Sequence, residues 1–385
     1  MALPAPSPIH LLRSHSSAVS TLFISTDNER IYSGDSTGQA VVTSTRSLRP
    51  LTSWKAHTDS LLGIEEWGSQ IITQGHATLS DLVSTPTKCY SMDVNALNYC
   101  RFSLLVIAGA STQEGLLAVP NLVESALADI WSLPSRQRLH AAIGDPLDTS
   151  ATAFSDGRSG SKSGIIMSIH LFYSASSAPS SSTSARELSL LCAYEDGSVV
   201  LRQRNAPENK QTVEGRGWEV VWKSKLHVES VMAMAVSSSC AFALTVSADH
   251  LVGRYDLSKT QEEASESTPA GTVFKTKHSG NGAVAIRSDG RVCAIGGWDG
   301  KVRLYSTKTL KLLGTLVHHK QGCQAVTFAS HILPLGGDLK GDDSSGDEDD
   351  ITMEEKYAVG RWMIAGSTDA KVSIWALMNF EKTST

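Results

Sequence analysis

Cys293-Ala294-Ile295-Gly296-Gly297-Trp298-Asp299-Gly300-Lys301-Val302-Arg303-Leu304-Tyr305 decides how this 385-residue chain folds. Two short apolar runs flank a tight Asp-Gly turn, and their alternation fits antiparallel strands with one face turned to a neighbouring sheet. Upstream stand His278 and a further apolar run, Ala283-Val284-Ala285-Ile286. The same order recurs on both sides. Before it come His227, Val231-Met232-Ala233-Met234-Ala235-Val236, Asp249 and Arg254-Tyr255-Asp256. After it come His319, Ala325-Val326-Thr327-Phe328, Ala365-Gly366-Ser367-Thr368-Asp369-Ala370 and Ile374-Trp375. In all three copies the aromatic follows the turn Asp by six residues.

Fainter copies align by the same offsets, as expected of a repeat architecture. The first has His15, Ser33-Gly34 and Thr37-Gly38, with Thr43 in the aromatic slot. The second has His57 and Thr73-Gln74-Gly75, but Ala77 replaces the Asp and Val83 the aromatic. A third is built from runs around Ala96–Leu105, Leu116–Val119 and Ala126–Trp131 and lacks the Asp turn. The fourth runs from Ile165–Phe172 through Leu190-Leu191-Cys192-Ala193-Tyr194-Glu195-Asp196-Gly197, with Arg202 in the aromatic slot. The reading is therefore an all-β, seven-bladed β-propeller, one four-stranded blade per copy. The blades cover approximately residues 14–54, 55–93, 94–143, 164–223, 226–276, 277–317 and 318–377. The last copy stops after its third strand, and residues 8–13 read as a spare strand that would complete it and close the ring, removing an exposed sheet edge.

Within each blade an Asp buried at the turn needs donors, and a His preceding the blade can supply one, worth about 1.5 to 3 kcal/mol for a charged partner. The expected pairs are His227 with Asp249, His278 with Asp299 and His319 with Asp369. A Ser-His-Asp catalytic group is the competing reading of these residue types. Catalysis needs one asymmetric constellation, whereas these positions repeat, so the reading is structural and no catalytic residue is assigned. Gly157-Arg158-Ser159-Gly160-Ser161-Lys162-Ser163-Gly164 lacks the Gly-Lys-Ser/Thr order of a phosphate loop and a following helix, and reads as a linker.

Composition is ordinary for a soluble globular protein, 41% hydrophobic and 19% charged, with a net charge of −5 that argues against a phosphate-binding protein. Lys and Arg are scattered, with no dense basic run to neutralise nucleic acid. Cys89, Cys100, Cys192, Cys240, Cys293 and Cys323 include no C-x-x-C pair and no His at zinc-ligand spacing, so no metal or cofactor is expected. The start lacks a signal-peptide pattern and no Asn-x-Ser/Thr acceptor occurs, which argues against secretion. The longest apolar run, Leu104–Ala110, is far short of the roughly 20 residues a membrane-spanning helix requires.

Three insertions interrupt the repeats: a Ser-rich 174–186, a polar and acidic 258–271, and 331–357 with Asp342-Asp343-Ser344-Ser345-Gly346-Asp347-Glu348-Asp349-Asp350. All three are expected to be flexible loops on one end of the ring, and the polar stretch 144–163 to lie on the other. Ser344 and Ser345 each have an acidic residue three positions on and are candidate phosphorylation sites for docking a basic partner. Trp298 precedes its turn Asp, so alternation aims it toward the end of the ring. With Glu195 and His76 at matching positions it is the candidate partner-binding patch, since aromatic anchors dominate interface energies. Trp218 and Trp222 read as fourth-strand packing residues.

These repeats resemble the WD-repeat superfamily over nearly the whole length. A closer likeness rests on Ala5-Pro6-Ser7-Pro8 with Leu11, Arg13 and His15, on Val94-Asn95-Ala96-Leu97-Asn98-Tyr99-Cys100-Arg101-Phe102-Ser103, on Ile130-Trp131-Ser132-Leu133-Pro134-Ser135, and on Gly366–Asp369 with Ile374-Trp375. Together they resemble the fungal ASTRA-associated WD-repeat subunits. That resemblance implies a non-catalytic scaffold in a nuclear complex linked to chromatin remodelling and to maturation of kinase-related proteins. The implied companions are a large kinase-related protein without kinase activity, co-chaperone subunits and AAA-type ATPases, with this chain a monomer inside the hetero-complex. The alternative, a substrate receptor or adaptor of a ubiquitin ligase, would use the same ring but needs an adaptor-binding motif, and none is identified.

Overall fold

The computed structural model describes residues 6–75, 87–107, 113–144, 163–174, 187–205, 211–259, 270–331 and 351–378. Strand β1 (His10–Leu12) is followed by β2 (Val19–Ile24), β3 (Arg30–Asp35), β4 (Gln39–Ser44) and β5 (Pro50–Lys55), then by β6 (Leu61–Trp67) and β7 (Gln70–Gly75). Next come β8 (Ser103–Ile107), β9 (Glu114–Pro120), β10 (Ala128–Leu133) and β11 (Gln137–Ile143), then β12 (Ile166–Ser174), β13 (Glu187–Tyr194), β14 (Ser198–Arg204) and β15 (Trp218–Lys225). The remainder is β16 (Val231–Val236), β17 (Phe242–Ser247), β18 (Leu251–Asp256), β19 (Gly271–Lys275), β20 (Asn281–Ile286), β21 (Val292–Gly297), β22 (Lys301–Ser306), β23 (Leu312–Val317), β24 (Cys323–Phe328), helix α1 (Met353–Val359), β25 (Trp362–Ser367) and β26 (Val372–Ala376).

These strands form six four-stranded antiparallel sheets and one two-stranded sheet, β6–β7, each sheet a propeller blade or part of one. Five blades run in sequence order. The sixth is β1-β26-β25-β24, in which His10, Leu11 and Leu12 pair with Ile374, Ser373 and Val372, so the leading segment supplies the strand the last copy lacks. Among the described residues, the expected second blade, residues 55–93, shows only its first two strands. Residues 87–93 carry no strand, and their sequence, Thr-Lys-Cys-Tyr-Ser-Met-Asp, has neither alternation nor a β-branched run to hold one. Ala77 and Val83 lie outside the described residues. Six complete blades are thus present among the described residues where the repeats predict seven.

Burial follows position in the blade. Second strands are sandwiched between sheets and read as nearly continuous apolar runs: β21 and β25 are buried at every residue. Fourth strands face solvent and alternate or lean polar, as in β5 and β23. The chain divides into two compact units, residues 1–66, 71–87 and 285–385 in one and 67–70 and 88–284 in the other. In the first, β2 packs on β24 and β25, and Val19, Leu22 and Ile31 share a core with Ala325, Ile364 and Ile374. In the second, β12 packs on β8 and β9 and also on β16. Ala118 and Ile130 meet Ile166, Leu171 and Leu190 there, while Trp222 stacks on Tyr255 with centroids 5.7 Å apart.

Two features depart from simple repetition. Residues 211–215 cross to run beside β11: Thr212 N–H donates to the Leu139 carbonyl (2.9 Å) and Ala141 N–H to the Thr212 carbonyl (3.1 Å). The end of the 331–357 insertion is not a loop but α1, begun by a capping box of Thr352 and Glu355. Buried Asn28 pins both ends of that insertion. Its amide donates to the Ser330 carbonyl (2.8 Å) and the Lys356 carbonyl (3.4 Å), and its oxygen accepts from Ser330 N–H (2.8 Å).

Turn glycines explain how neighbouring blades approach. Gly38, Gly197 and Gly300 have φ of 88°, 86° and 76°, and a Cβ on any of them would run into the carbonyl oxygen of His57, His227 or His319, respectively. The corresponding residue of the last turn is Ala370, with φ of 62°. Gly300→Ala should therefore cost more than about 1 kcal/mol in denaturant unfolding, whereas Ala370→Gly should stabilise by about 0.5 to 1 kcal/mol. Equal midpoints for either variant and the parent would contradict this assignment. Deleting residues 1–13 should strip β26 of its partner, lower the melting temperature and promote aggregation through the bared edge. A truncated chain that melts like the full one would show that β1 is dispensable.

Candidate functional site

Recurring polar groups sit where the loop entering a blade meets the turn between its second and third strands. His227 Nδ1 lies 3.0 Å from Asp249 Oδ2 and its Nε2 is 2.8 Å from Thr245 Oγ1. Asp249 also accepts from Leu251 N–H (2.9 Å) and Val228 N–H (3.3 Å). His319 repeats the arrangement: Nδ1 is 3.1 Å from Asp369 Oδ1, Nε2 is 2.8 Å from Ser373 Oγ, and Trp375 Nε1–H donates to the same hydroxyl at 2.9 Å. In both, the carboxylate fixes the Nδ1–H tautomer, leaving Nε2 to accept from a hydroxyl.

A third network was not legible as an Asp turn. His15 Nδ1 meets Asp35 Oδ2 at 2.9 Å and its Nε2 meets Ser33 Oγ at 2.8 Å, all buried. Asp35 stands two residues before the slot that Thr37 fills, and Thr37 donates to it from both N–H (2.9 Å) and hydroxyl (2.6 Å). Burial pushes the Asp35 carboxyl up, but the bonds from Thr37 and His15 outweigh it and hold the group below its ordinary value. Asp closing β3 was the available signal. In the fourth copy Asp196 is satisfied by Ser198, through N–H (2.9 Å) and hydroxyl (2.5 Å), without a histidine.

The expected bond between His278 and Asp299 is replaced. Arg303, four residues after Asp299, donates to it through Nη1 (3.2 Å) and Nη2 (2.5 Å), and Lys301 N–H adds a bond at 3.2 Å. The reason lies in that fourth position, where the fifth copy has Gly253 and the last has Ser373. Only a guanidinium there reaches the acid directly. Asp299 is consequently exposed rather than buried, and so is His278, whose carbonyl accepts from Thr276 and Asn281.

Of the candidate partner-binding residues, Trp298 is 47% exposed, one of several large apolar side chains open to solvent. Glu195 is exposed and accepts from Ile165 N–H at 3.4 Å. His76 lies outside the described residues, as do Ser344 and Ser345. Trp298 and Glu195 belong to different compact units, each on its own turn. No group of three or more His, Cys, Asp or Glu among the described residues could hold a metal ion, and no described helix is long and apolar enough to cross a membrane.

One further cluster escaped the sequence reading. His140 of β11 is buried, its Nδ1 2.8 Å from Thr212 Oγ1, and Arg204 Nη1 donates to its Nε2. Trp218 packs edge-on at 5.6 Å. Burial, reinforced by the Arg204 charge, lowers the His140 pKa from 6.5 to about 4. A histidine held neutral in the fold but titrating normally when unfolded takes up its proton first in the unfolded state. Stability should accordingly fall as pH drops from 6.5 toward 4. The drop should be smaller in His140→Gln, as read by urea unfolding across that range. An unchanged pH slope in the variant would remove the assignment.

No family model matches the chain. It is 30% identical to ASTRA-associated protein 1 of Aspergillus flavus, with 97% of each chain covered, and 30% identical to the protein of that name in Verticillium alfalfae, covering 96% of this chain and 92% of the relative. It is also 26% identical to the mouse guanine nucleotide-binding protein subunit beta-like protein 1, with 97% of each covered. These alignments run nearly end to end. By identity and by coverage, the chain belongs to the ASTRA-associated protein 1 family.

Proposed function

We propose that this chain is a non-catalytic docking subunit of a nuclear, ASTRA-type multiprotein complex linked to chromatin remodelling and to the maturation of kinase-related proteins. The observation that carries the reading is the near end-to-end alignment with relatives whose name records association with ASTRA. The recurrence of the His-carboxylate turn in three blades supports it, because a repeated polar group braces a scaffold rather than performing one reaction.

In this proposal the chain closes as a seven-bladed ring. The sheet of β6 and β7 belongs to the remaining blade, and β1 seals the last one. The companions are a large kinase-related protein without kinase activity, co-chaperone subunits and AAA-type ATPases, with one copy of this chain in the assembly. Trp298 anchors one of them, with Glu195 and His76 on the corresponding turns, and phosphorylation of Ser344 and Ser345 adds charge for a basic partner.

Affinity purification of the tagged full chain from nuclear extract of its native cells, followed by mass spectrometry, tests this directly. The three companion classes should co-purify. Trp298→Ala, an exposed change, should lower recovery of at least one of them without altering the melting temperature, since truncating a hot-spot aromatic costs about 2 kcal/mol or more of binding. Recovery of ubiquitin-ligase adaptors in their place, or of none of the three classes, would overturn the proposal.

A further inference from the structure

A cavity of about 310 Å³ opens between the sheet β8–β11 and the sheet β12–β15, within one compact unit. Its walls mix an apolar group, Ile107, Leu116, Leu133, Leu139 and Leu188 with the ring of Tyr173, with the polar Ser132 and Ser135. Leu116, Leu133 and Leu188 are buried, whereas Glu114 is exposed, so the carboxylate marks the mouth. His140 lines the cavity at its buried side.

Chemistry divides the cavity into two parts. At the inner side His140 offers no free nitrogen, because Nδ1 is engaged by Thr212 and Nε2 by Arg204. The Arg204 guanidinium behind the ring makes that side unfavourable for a second cation, and the low pKa keeps the imidazole uncharged at neutral pH. A polar or charged group pushed inward would lose its hydration without compensation, whereas an aliphatic one would not. At the mouth the situation reverses. Glu114 is the only carboxylate among the described residues that line the cavity.

We infer that this cavity receives a large apolar side chain from an extended segment of a partner protein, with a lysine or arginine adjacent in that segment engaging Glu114. The cavity, about 310 Å³, has room for one large side chain. The rim carboxylate selects the neighbour by charge, since a cation can lay its stem along the apolar lip and present its head to Glu114. This site is separate from Trp298 and does not depend on which assembly holds the chain.

The test uses the full chain labelled at Ile and Leu methyls and titrated with three capped dipeptides, acetyl-Leu-Lys-, acetyl-Leu-Glu- and acetyl-Ser-Lys-N-methylamide. The Leu-Lys probe should move the methyl resonances of Ile107, Leu116, Leu133, Leu139 and Leu188, with a Kd in the millimolar range expected of so small a ligand, while the other two bind at least about fivefold more weakly. Glu114→Lys, a change at an exposed position, should reverse the preference between Leu-Lys and Leu-Glu. The inference is overturned if those methyls stay still up to about 10 mM probe, if the three dipeptides bind alike, or if the charge reversal leaves the preference unaltered.

Discussion

A histidine at the entrance to a blade makes two attachments at once, and the rest of the architecture is arranged around them. Its ring reaches across its own blade to a turn carboxylate, as in His15 with Asp35, His227 with Asp249 and His319 with Asp369. Its backbone carbonyl receives the turn glycine of the preceding blade, as in Gly38 against His57, Gly197 against His227 and Gly300 against His319. In His227 and His319 one residue therefore both fixes a blade internally and meets the turn of the blade before it. A charge-assisted bond of this kind contributes about 1.5 to 3 kcal/mol, and losing one partner leaves a buried polar group at greater cost.

The copies that depart from this scheme preserve its purpose by other chemistry. Arg303 binds Asp299 with a permanent cation, so that turn owes nothing to a histidine tautomer. In the third copy Asp129 collects Asn121 Nδ2 (2.9 Å) and Ala142 N–H (2.8 Å) from within the blade, and Asn121 caps Val123 and Glu124 across the turn. Asn95 and Asn98 then fasten the preceding loop to the Asn121, Ser125 and Ile166 carbonyls. In the third copy, then, an amide and Arg138, whose Nη1 donates to Asp129 at 3.4 Å, stand where other copies use a histidine.

Much of the fold was legible because alternation and turn chemistry agree locally. Ile295, Asp299 and Tyr305 locate two strands and the turn between them without reference to anything distant, and so do their counterparts in the fifth and last copies. The pairing of His10–Leu12 with β26 was legible for a different reason, a missing strand at one end and a spare one at the other. What the sequence could not disclose depends on reach rather than pattern. Arg303 displacing a histidine from Asp299, and Arg204 meeting His140 across 64 positions, are outcomes of side-chain length in three dimensions. Asp35 was hidden by a two-residue offset, and the short helix α1 by the acidic segment that precedes it.

Asn28 has a consequence for how this family can vary. Its side chain grips the Ser330 and Lys356 backbones together, so the exit from β24 and the middle of α1 meet at one residue of the first blade. An excursion tethered at a closed neck transmits no tension to the strands on either side, and lengthening it adds only a slowly growing entropic term. The alignment with the Aspergillus flavus relative spans 450 positions against the 385 residues of this chain, so the two lineages differ by sizeable gaps. A neck of this type lets evolution write new sequence into an assembly's periphery without renegotiating the geometry of its frame.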